Sequence, residues 1–339
     1  MARSEITIDL GALRRNVRTL LQALEGAELW AVVKANGYGH GALECGEAAL
    51  GAGATALCVM TVPEALALRR ELADARLIVL GPRSNREVGQ ARDARVELVV
   101  SDGEIPEGVP VHLKVDTGMG RWGLSELPAP TRDVVGLMTH FATADSDPEF
   151  ARIQLARFLE ATEPFAHLTR HAANSAAALA LPESRLDAAR CGIALYGLSP
   201  FATDPADHGL EPVLSWSSEI AQSKLLRAGE ATGYGRRFVA DADTWVGIVP
   251  VGYADGFRRD LTGTELLVDG ERVPVVGTIS MDALAVQLDR ELPPGTPVTI
   301  VGRGVLLDEH ARIAETIGYE LACGINSSPT RARRVIMDA

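Results

Sequence analysis

Lys34 follows the apolar run Leu29 to Val33 and opens the stretch Ala35-Asn36-Gly37-Tyr38-Gly39-His40-Gly41, where glycine recurs at every second position from Gly37. A lysine at the end of a buried strand is partly desolvated. That lowers its pKa and makes the amine nucleophilic toward a carbonyl. Imine formation with a carbonyl cofactor is the chemistry such a residue can support. Taken by itself, the stretch fits a surface lysine beside a turn equally well. Lysine is scarce, however. Lys114 and Lys224 are the others, and the rest of the 33 basic residues are arginines. Any reaction that needs an amine therefore has three candidates.

A strand-end lysine does chemistry only if a scaffold encloses it. The chain has 339 residues, beyond the usual size of one domain. Its 47% hydrophobic and 23% charged content is that of a soluble globular protein, and it excludes a mainly disordered chain. A net charge of −12 argues against a broad nucleic-acid-binding surface. Short apolar runs alternate with helical periodicity over the first two-thirds. Strands are expected at 5–10, 29–33, 56–60, 77–80, 97–100, 111–115, 135–140, 168–172 and 193–196, with helices such as His40 to Leu50 and Pro63 to Leu72 between them. About eight such units in about 200 residues fit a closed (β/α)₈ barrel, whose strand C-termini carry the active site. Beyond the Pro- and Asp-rich stretch Ser199 to Pro212 the helical signals nearly vanish and strands dominate, with Asp269-Gly270 as a hairpin signal. The expected fold class is α/β: a barrel over 1–211 and a mainly β domain over 212–339, strand 5–10 being free to pack with the second.

The stretch around Lys34 resembles the cofactor-lysine motif of the alanine racemases, which are barrel-type pyridoxal-phosphate enzymes. Further segments agree with that family in the same order: Lys114 to Arg121, Thr139 to Asp145, His171 to Ser175, Arg190 to Gly197, Gly233-Tyr234-Gly235, Val251 to Gly256, Ser280-Met281-Asp282 and Gly318-Tyr319-Glu320. The resemblance runs nearly end to end. It implies that Lys34 holds pyridoxal 5'-phosphate as an imine. Tyr38, Ser175, Gly192 and Ile193 would bind its phosphate. Ser175 opens an Ala-rich helix, whose free N–H groups favour an anion; its commoner use is as a plain N-cap. Gly192 permits close backbone approach.

Arg190 would face the ring nitrogen. An arginine does not give up its proton, so the ring stays a weaker electron sink and simple proton removal and return is favoured. The alternative for Arg190 is a salt bridge at a barrel rim. Racemisation needs an acid/base on each face of Cα. By resemblance these are Lys34 and Tyr234, the latter reaching the site of the partner in a homodimer with shared active sites. A phenol ionises only near pH ~10 and needs a polar network to act as a base. His140 would link Arg190 to Tyr234, although a lone histidine of this kind is more often a satisfied core residue. Met281, also from the partner, would offer its N–H to the substrate carboxylate. Arg121 would bond the cofactor's phenolic oxygen and that same carboxylate. Tyr253 and Tyr319 would narrow the entrance, supported by Asp282. Lys114 aligns with a lysine often carbamylated in the family, where the carbamate orients Arg121.

Trp122, Thr278 and the run Ser328 to Val335 depart from the family pattern. The four cysteines, Cys45, Cys58, Cys191 and Cys323, have no metal or disulfide spacing and are expected as small buried residues of a reducing compartment. No metal is expected. The N-terminus shows no signal peptide, and no stretch has the ~20 apolar residues of a membrane span, so a cytoplasmic protein is expected. The reading is an alanine racemase supplying D-alanine for peptidoglycan. The competing readings are a serine or broad-specificity racemase, a barrel-type decarboxylase, a pyridoxal-phosphate-binding homeostasis protein, and a barrel with a phosphate site and no cofactor.

Overall fold

The computed structural model describes residues 3–338. The chain divides into two compact units. One runs from Ala12 to Glu211; the other joins the residues up to Gly11 to those from Pro212 onward. Strand β1 (Glu5–Asp9) belongs to the second unit.

The first unit carries eight parallel strands, β2 (Glu28–Val32), β3 (Ala56–Val59), β4 (Leu77–Val79), β5 (Glu97–Val100), β6 (Val111–Lys114), β7 (Val134–Met138), β8 (Thr169–His171) and β9 (Ala188–Cys191), in the order β8-β7-β6-β5-β4-β3-β2-β9. The two ends meet: Asp187 N donates to Arg170 O at 3.1 Å and Arg190 N to Ala173 O at 2.9 Å, which closes the barrel. Nearly all strand residues are buried, as a parallel sheet covered on both faces demands. Helices Ala42–Gly51, Val62–Glu71, Asn85–Asp93, Pro148–Thr162 and Ser175–Ala180 alternate with the strands; between β5 and β6, and between β6 and β7, the chain runs as loop. Helix Val62–Glu71 starts on a capping box, in which Thr61 Oγ1 accepts from Glu64 N while Glu64 accepts from Thr61 N.

The expected strand at 193–196 is corrected. Ile193–Tyr196 is a buried 3-10 turn, and the strand lies just before it, in β9. Gly192 breaks the strand, and a short buried apolar run does not by its periodicity reveal which structure it adopts. Strand β7 ends at Met138, so His140 stands past the strand rather than in it.

The second unit is mainly β. Its nine-stranded sheet has the order β11-β14-β17-β16-β15-β18-β10-β1-β19 and comprises β1 with β10 (Leu214–Glu219), β11 (Gln222–Leu226), β14 (Thr244–Val249), β15 (Glu265–Val268), β16 (Glu271–Val276), β17 (Leu284–Leu288), β18 (Pro297–Val301) and β19 (Arg333–Met337); β12 (Ala231–Thr232) and β13 (Phe238–Val239) form a separate ribbon. β1 pairs antiparallel with β10 and parallel with β19. Asp269 and Gly270, both at positive φ, join β15 to β16 in the two-residue hairpin that Asp-Gly predicts. β10 and β11 are separated by a break at Ile220-Ala221, whose N–H groups turn to Thr296 O and Ile248 O. Two helices that the sequence pattern hides, Leu307–Ile313 and Gly318–Gly324, lie here. Cys45, Cys58 and Cys191 are buried, but Cys323 is exposed and so departs from expectation. Among the described residues no helix is long and apolar enough to cross a membrane.

Candidate active site

The loop after β2 is a left-handed turn. Ala35, Asn36, Gly37, Tyr38 and Gly39 all have positive φ, between 52° and 83°. For Ala35, Asn36 and Tyr38 this conformation costs about 1–2 kcal/mol each. Strain of this kind persists only where the surroundings over-determine it. Here Ala35 N donates to Glu64 Oε1 at 2.8 Å, Gly37 N to Val33 O at 2.8 Å and Ala42 N to Asn36 Oδ1 at 3.0 Å. Glu64, which sequence reasoning passed over, thus serves two elements, capping its own helix and clamping the turn that carries Lys34. Its Thr-x-x-Glu spacing was the available signal.

The turn carries Tyr38 to the loop after β9. A Cβ placed on Gly192 would lie 2.4 Å from Tyr38 Oη, so only glycine fits there. Buried Ser175 comes to the same place, its Oγ accepting from Gly192 N at 2.9 Å and from Ala194 N at 3.4 Å. Ser175 is not the N-cap; Asn174 is, accepting from Ala177 N at 3.0 Å, which leaves the serine hydroxyl for the loop. Tyr38, Ser175, Gly192 and Ile193 therefore converge, although their partners in sequence are far apart. Lys34 Nζ stands 6.0 Å from the Tyr38 ring centroid.

Deeper in the barrel sits Arg190, on β9 and 3% exposed. Nη1 donates to His171 Nδ1 and to His171 O, both at 2.8 Å; Nη2 donates to Thr139 O at 2.8 Å and Ala172 O at 3.2 Å, and lies 3.3 Å from His140 Nδ1. The arrangement is no rim salt bridge. Burial lowers the Arg190 pKa to about 10, which leaves it cationic at neutral pH. Burial first, then the positive charges of Arg190, Lys114, Arg121 and Lys34, hold the His140 imidazole well below its usual range, hence neutral. Four cations thus gather around one imidazole, an electropositive pocket suited to a phosphate and a carboxylate.

Lys114 ends β6 and is 4% exposed. Burial, then Arg121 and Arg190, lower its pKa to about 8, so much of it is free amine at mildly alkaline pH. Arg121 follows a loop organised by Asp116, which accepts from the N–H groups of Gly118, Met119 and Gly120. Trp122, a departure from the family pattern, places its ring 5.2 Å from the Arg121 guanidinium, a cation–π distance.

The second unit holds Tyr234, Tyr253, Met281, Asp282 and Tyr319. Tyr234 is 73% exposed, between Gly233 and Gly235 at positive φ. Thr278 Oγ1 donates to Tyr234 O at 2.7 Å, and a Cβ on Gly233 would lie 2.9 Å from Thr278 N. The departure at Thr278 therefore pins the tyrosine loop. Tyr253 N donates to Ser280 O and Ala254 N to Met281 O, both at 3.1 Å, so the loops bearing Tyr253 and Met281 are stitched together with both side chains exposed. Asp282 is held by Arg3 at 3.0 Å and Arg331 at 2.9 Å, whose hydrogen bonds lower its pKa. Arg331, from the divergent C-terminal run, also donates to buried Asp255 at 2.8 Å. Tyr319 lies half-buried in helix Gly318–Gly324.

A parallel barrel with a strand-end lysine in a cationic pocket, followed in the chain by a β-domain presenting exposed tyrosines, defines a barrel-type amino-acid racemase, an isomerase. Residues 8–200 match the alanine racemase N-terminal domain family and residues 213–335 the alanine racemase C-terminal domain family. Alanine racemase 1 of Bacillus subtilis is 41% identical over 96% of this chain and 91% of its own length; the alanine racemase of Levilactobacillus brevis is 38% identical over 98% of each. The crystal structure of the biosynthetic alanine racemase from Pseudomonas aeruginosa superposes with a TM-score of 0.92 at 34% identity, covering all of both chains. The chain belongs to the alanine racemase family. A decarboxylase and a barrel-only homeostasis protein are thereby set aside, since both matched domains are those of the racemases.

Proposed function

We propose that this racemase interconverts L- and D-alanine by a two-base exchange at Cα, with pyridoxal 5'-phosphate held in the barrel. The observation that carries the reading is the convergence of Lys34, Tyr38, Ser175 and Gly192 above a buried Arg190 that has no carboxylate paired to it among the described residues. The residues fit the cofactor. Tyr38, Ser175 and the backbone at Gly192 and Ile193 are a cradle for its phosphate, Lys34 is the amine for its aldehyde, and Arg121 suits its phenolic oxygen. When bound, pyridoxal phosphate supplies an electron sink that acidifies the Cα–H of the attached amino acid.

The chain's own residues do the rest. Lys34 takes or returns the proton on one face. Tyr234, from a second copy of the chain, serves the other, and the exposure of its ring suits that role. Arg190 stays cationic and donates toward the ring nitrogen. His140, kept neutral by burial and then by the cations around it, continues the hydrogen-bonded path from Arg190 toward Tyr234. Met281 N–H and Arg121 bind the substrate carboxylate, while Tyr253 and Tyr319, with Asp282 held rigid, restrict the entrance to a small side chain. The product supplies D-alanine for peptidoglycan in the cytoplasm.

Lys114 is the site of a carbamate. The Lys114 ammonium first loses one proton; the free amine then attacks CO₂, forming a C–N bond as one C=O π bond opens onto oxygen, and releases a second proton, so that a cation beside Arg121 becomes an anion that orients it. Equilibration with ¹³C-bicarbonate is expected to give one slowly exchanging carbamate signal that Lys114→Ala lacks. A wild-type spectrum without it rules the modification out.

The function is tested by incubating the loaded enzyme with L-amino acids in D₂O, following Cα-proton loss by NMR and the D-enantiomer by chiral chromatography. Exchange with D-product is expected for alanine, and little for serine, lysine or arginine. Comparable turnover of serine would instead assign broad specificity.

A further inference from the structure

The barrel interior holds a polar chain that the reaction described above does not use. His171 on β8 and His112 on β6 are both fully buried, and His171 Nε2 lies 3.0 Å from His112 Nδ1. His112 Nε2 lies 2.8 Å from Glu97 Oε2, at the start of β5. Glu97 is in turn gripped by Arg76, with Nε to Oε1 at 2.7 Å and Nη2 to Oε2 at 3.0 Å. Trp30 on β2 packs against both imidazoles at 5.6 and 4.5 Å between centroids. Strands β2, β6 and β8 are not neighbours in the sheet, so these rings meet inside the barrel. A Cβ on Gly136 would lie 2.1 Å from His112 Nδ1; that position has to be glycine for the pair to exist.

The proton positions follow from one fixed end. Arginine only donates, so His171 Nδ1, facing Arg190 Nη1, must be a lone pair. The His171 proton is then on Nε2 and points to His112. The facing Nδ1 of His112 is a lone pair, and its proton, on Nε2, goes to the Glu97 carboxylate. Every donor in the chain points from Arg190 toward Glu97, and neither imidazole has room for a second proton. Burial, the largest influence on both, holds each below its ordinary pKa. Burial alone would raise Glu97, but its hydrogen bonds from His112 and Arg76 prevail and bring it to about 2. Arg190 has no carboxylate in ion-pair contact among the described residues; this chain links it to one. Successive hydrogen bonds in a low dielectric polarise one another, so the Glu97 charge strengthens His171 Nδ1 as an acceptor.

We propose that Glu97, through His112 and His171, is a positioning residue for Arg190: its carboxylate anchors the far end of a chain whose direction the guanidinium sets, so that both imidazoles keep one tautomer and Arg190 is held by an acceptor on its inner side. The inference rests on Arg190 being the partner of the cofactor's ring nitrogen.

The test uses ¹⁵N-histidine in the wild-type enzyme, with and without cofactor, and ¹⁵N-ring-labelled pyridoxal phosphate in wild type and Glu97→Gln. Both His112 and His171 are expected as the neutral Nε2–H form across the neutral pH range. Glu97→Gln is expected to give mixed tautomers at His171, a displaced ring-nitrogen signal and a kcat about tenfold lower, the size of one lost charge-assisted hydrogen bond, with KM for alanine little changed. Glu97→Asp should recover part of the ring-nitrogen shift. An Nδ1–H form or an imidazolium at either histidine of the wild type overturns the inference, and this result stands even if Glu97→Gln fails to fold. So does a folded Glu97→Gln whose ring-nitrogen signal and kcat are unchanged while only its melting temperature falls. A protonated ring nitrogen in the wild type, with both histidines in the Nε2–H form, would bring down the assignment of Arg190 itself and the inference with it.

Discussion

Lys34→Ala is expected to lower racemisation by roughly 10³–10⁴-fold in both directions, and to abolish the visible absorption that appears when the wild-type enzyme is mixed with pyridoxal phosphate. The loss is large because one amine serves as covalent anchor and as the base on one face. The fold should survive. The left-handed turn is tied through the backbone of Ala35 and Gly37 and the side chains of Asn36 and Glu64, so the far-UV circular dichroism and melting temperature should change little. The competitor is Lys114, whose pKa burial lowers to about 8, which makes it a candidate nucleophile. Position decides against it. Lys114 is buried beside Arg121 and Arg190, whereas Lys34 opens the turn that brings Tyr38 against Gly192. Retention of the absorption in Lys34→Ala, with its loss in Lys114→Ala, would exchange the two lysines' roles.

Much of this site is legible in the sequence because its signals are local. The stretch from Lys34 to Gly41 carries amine, glycines and tyrosine together, and Gly233-Tyr234-Gly235 does the same for the second unit. What sequence reading misses depends on contacts between distant strands. His171 falls inside a recognisable segment, yet its partner His112 stands two strands away, and Glu97 looks like any charged residue beginning a strand. The left-handed path of Ala35, Asn36 and Tyr38 contradicts local preference and is imposed by Glu64 and by bonds to Val33 and Ala42. At Ser175 the local rule names a cap, but the adjacent Asn174 takes that task. Where two neighbouring residues can fill one role, only the fold assigns it.

Tyr234→Phe tests the other face of Cα, and the measurement has to be chosen with care. L- and D-alanine have the same free energy in water, so the equilibrium constant is unity for any variant. The ratio of kcat/KM in the two directions is then also unity, whichever base is missing. Tyr234→Phe should therefore slow L-to-D and D-to-L racemisation equally, by about 10²–10⁴-fold. The asymmetry appears in exchange without inversion. One enantiomer presents its Cα–H to Lys34, and in D₂O that enantiomer should still take up deuterium with retained configuration. The other should neither exchange nor invert. The variant should fold as the wild type does, since the Tyr234 ring is exposed and its loop is held through the backbone carbonyl by Thr278. Equal slow exchange of both enantiomers would mean that a single base serves both faces, and would remove Tyr234 from the proton path. If Tyr234 comes from a second copy of the chain, mixing Tyr234→Phe with Lys34→Ala should restore activity. In such a mixed pair one site keeps both bases and the other has neither. Neither parent variant can do this alone, so recovered racemisation on mixing would place the two bases on different chains.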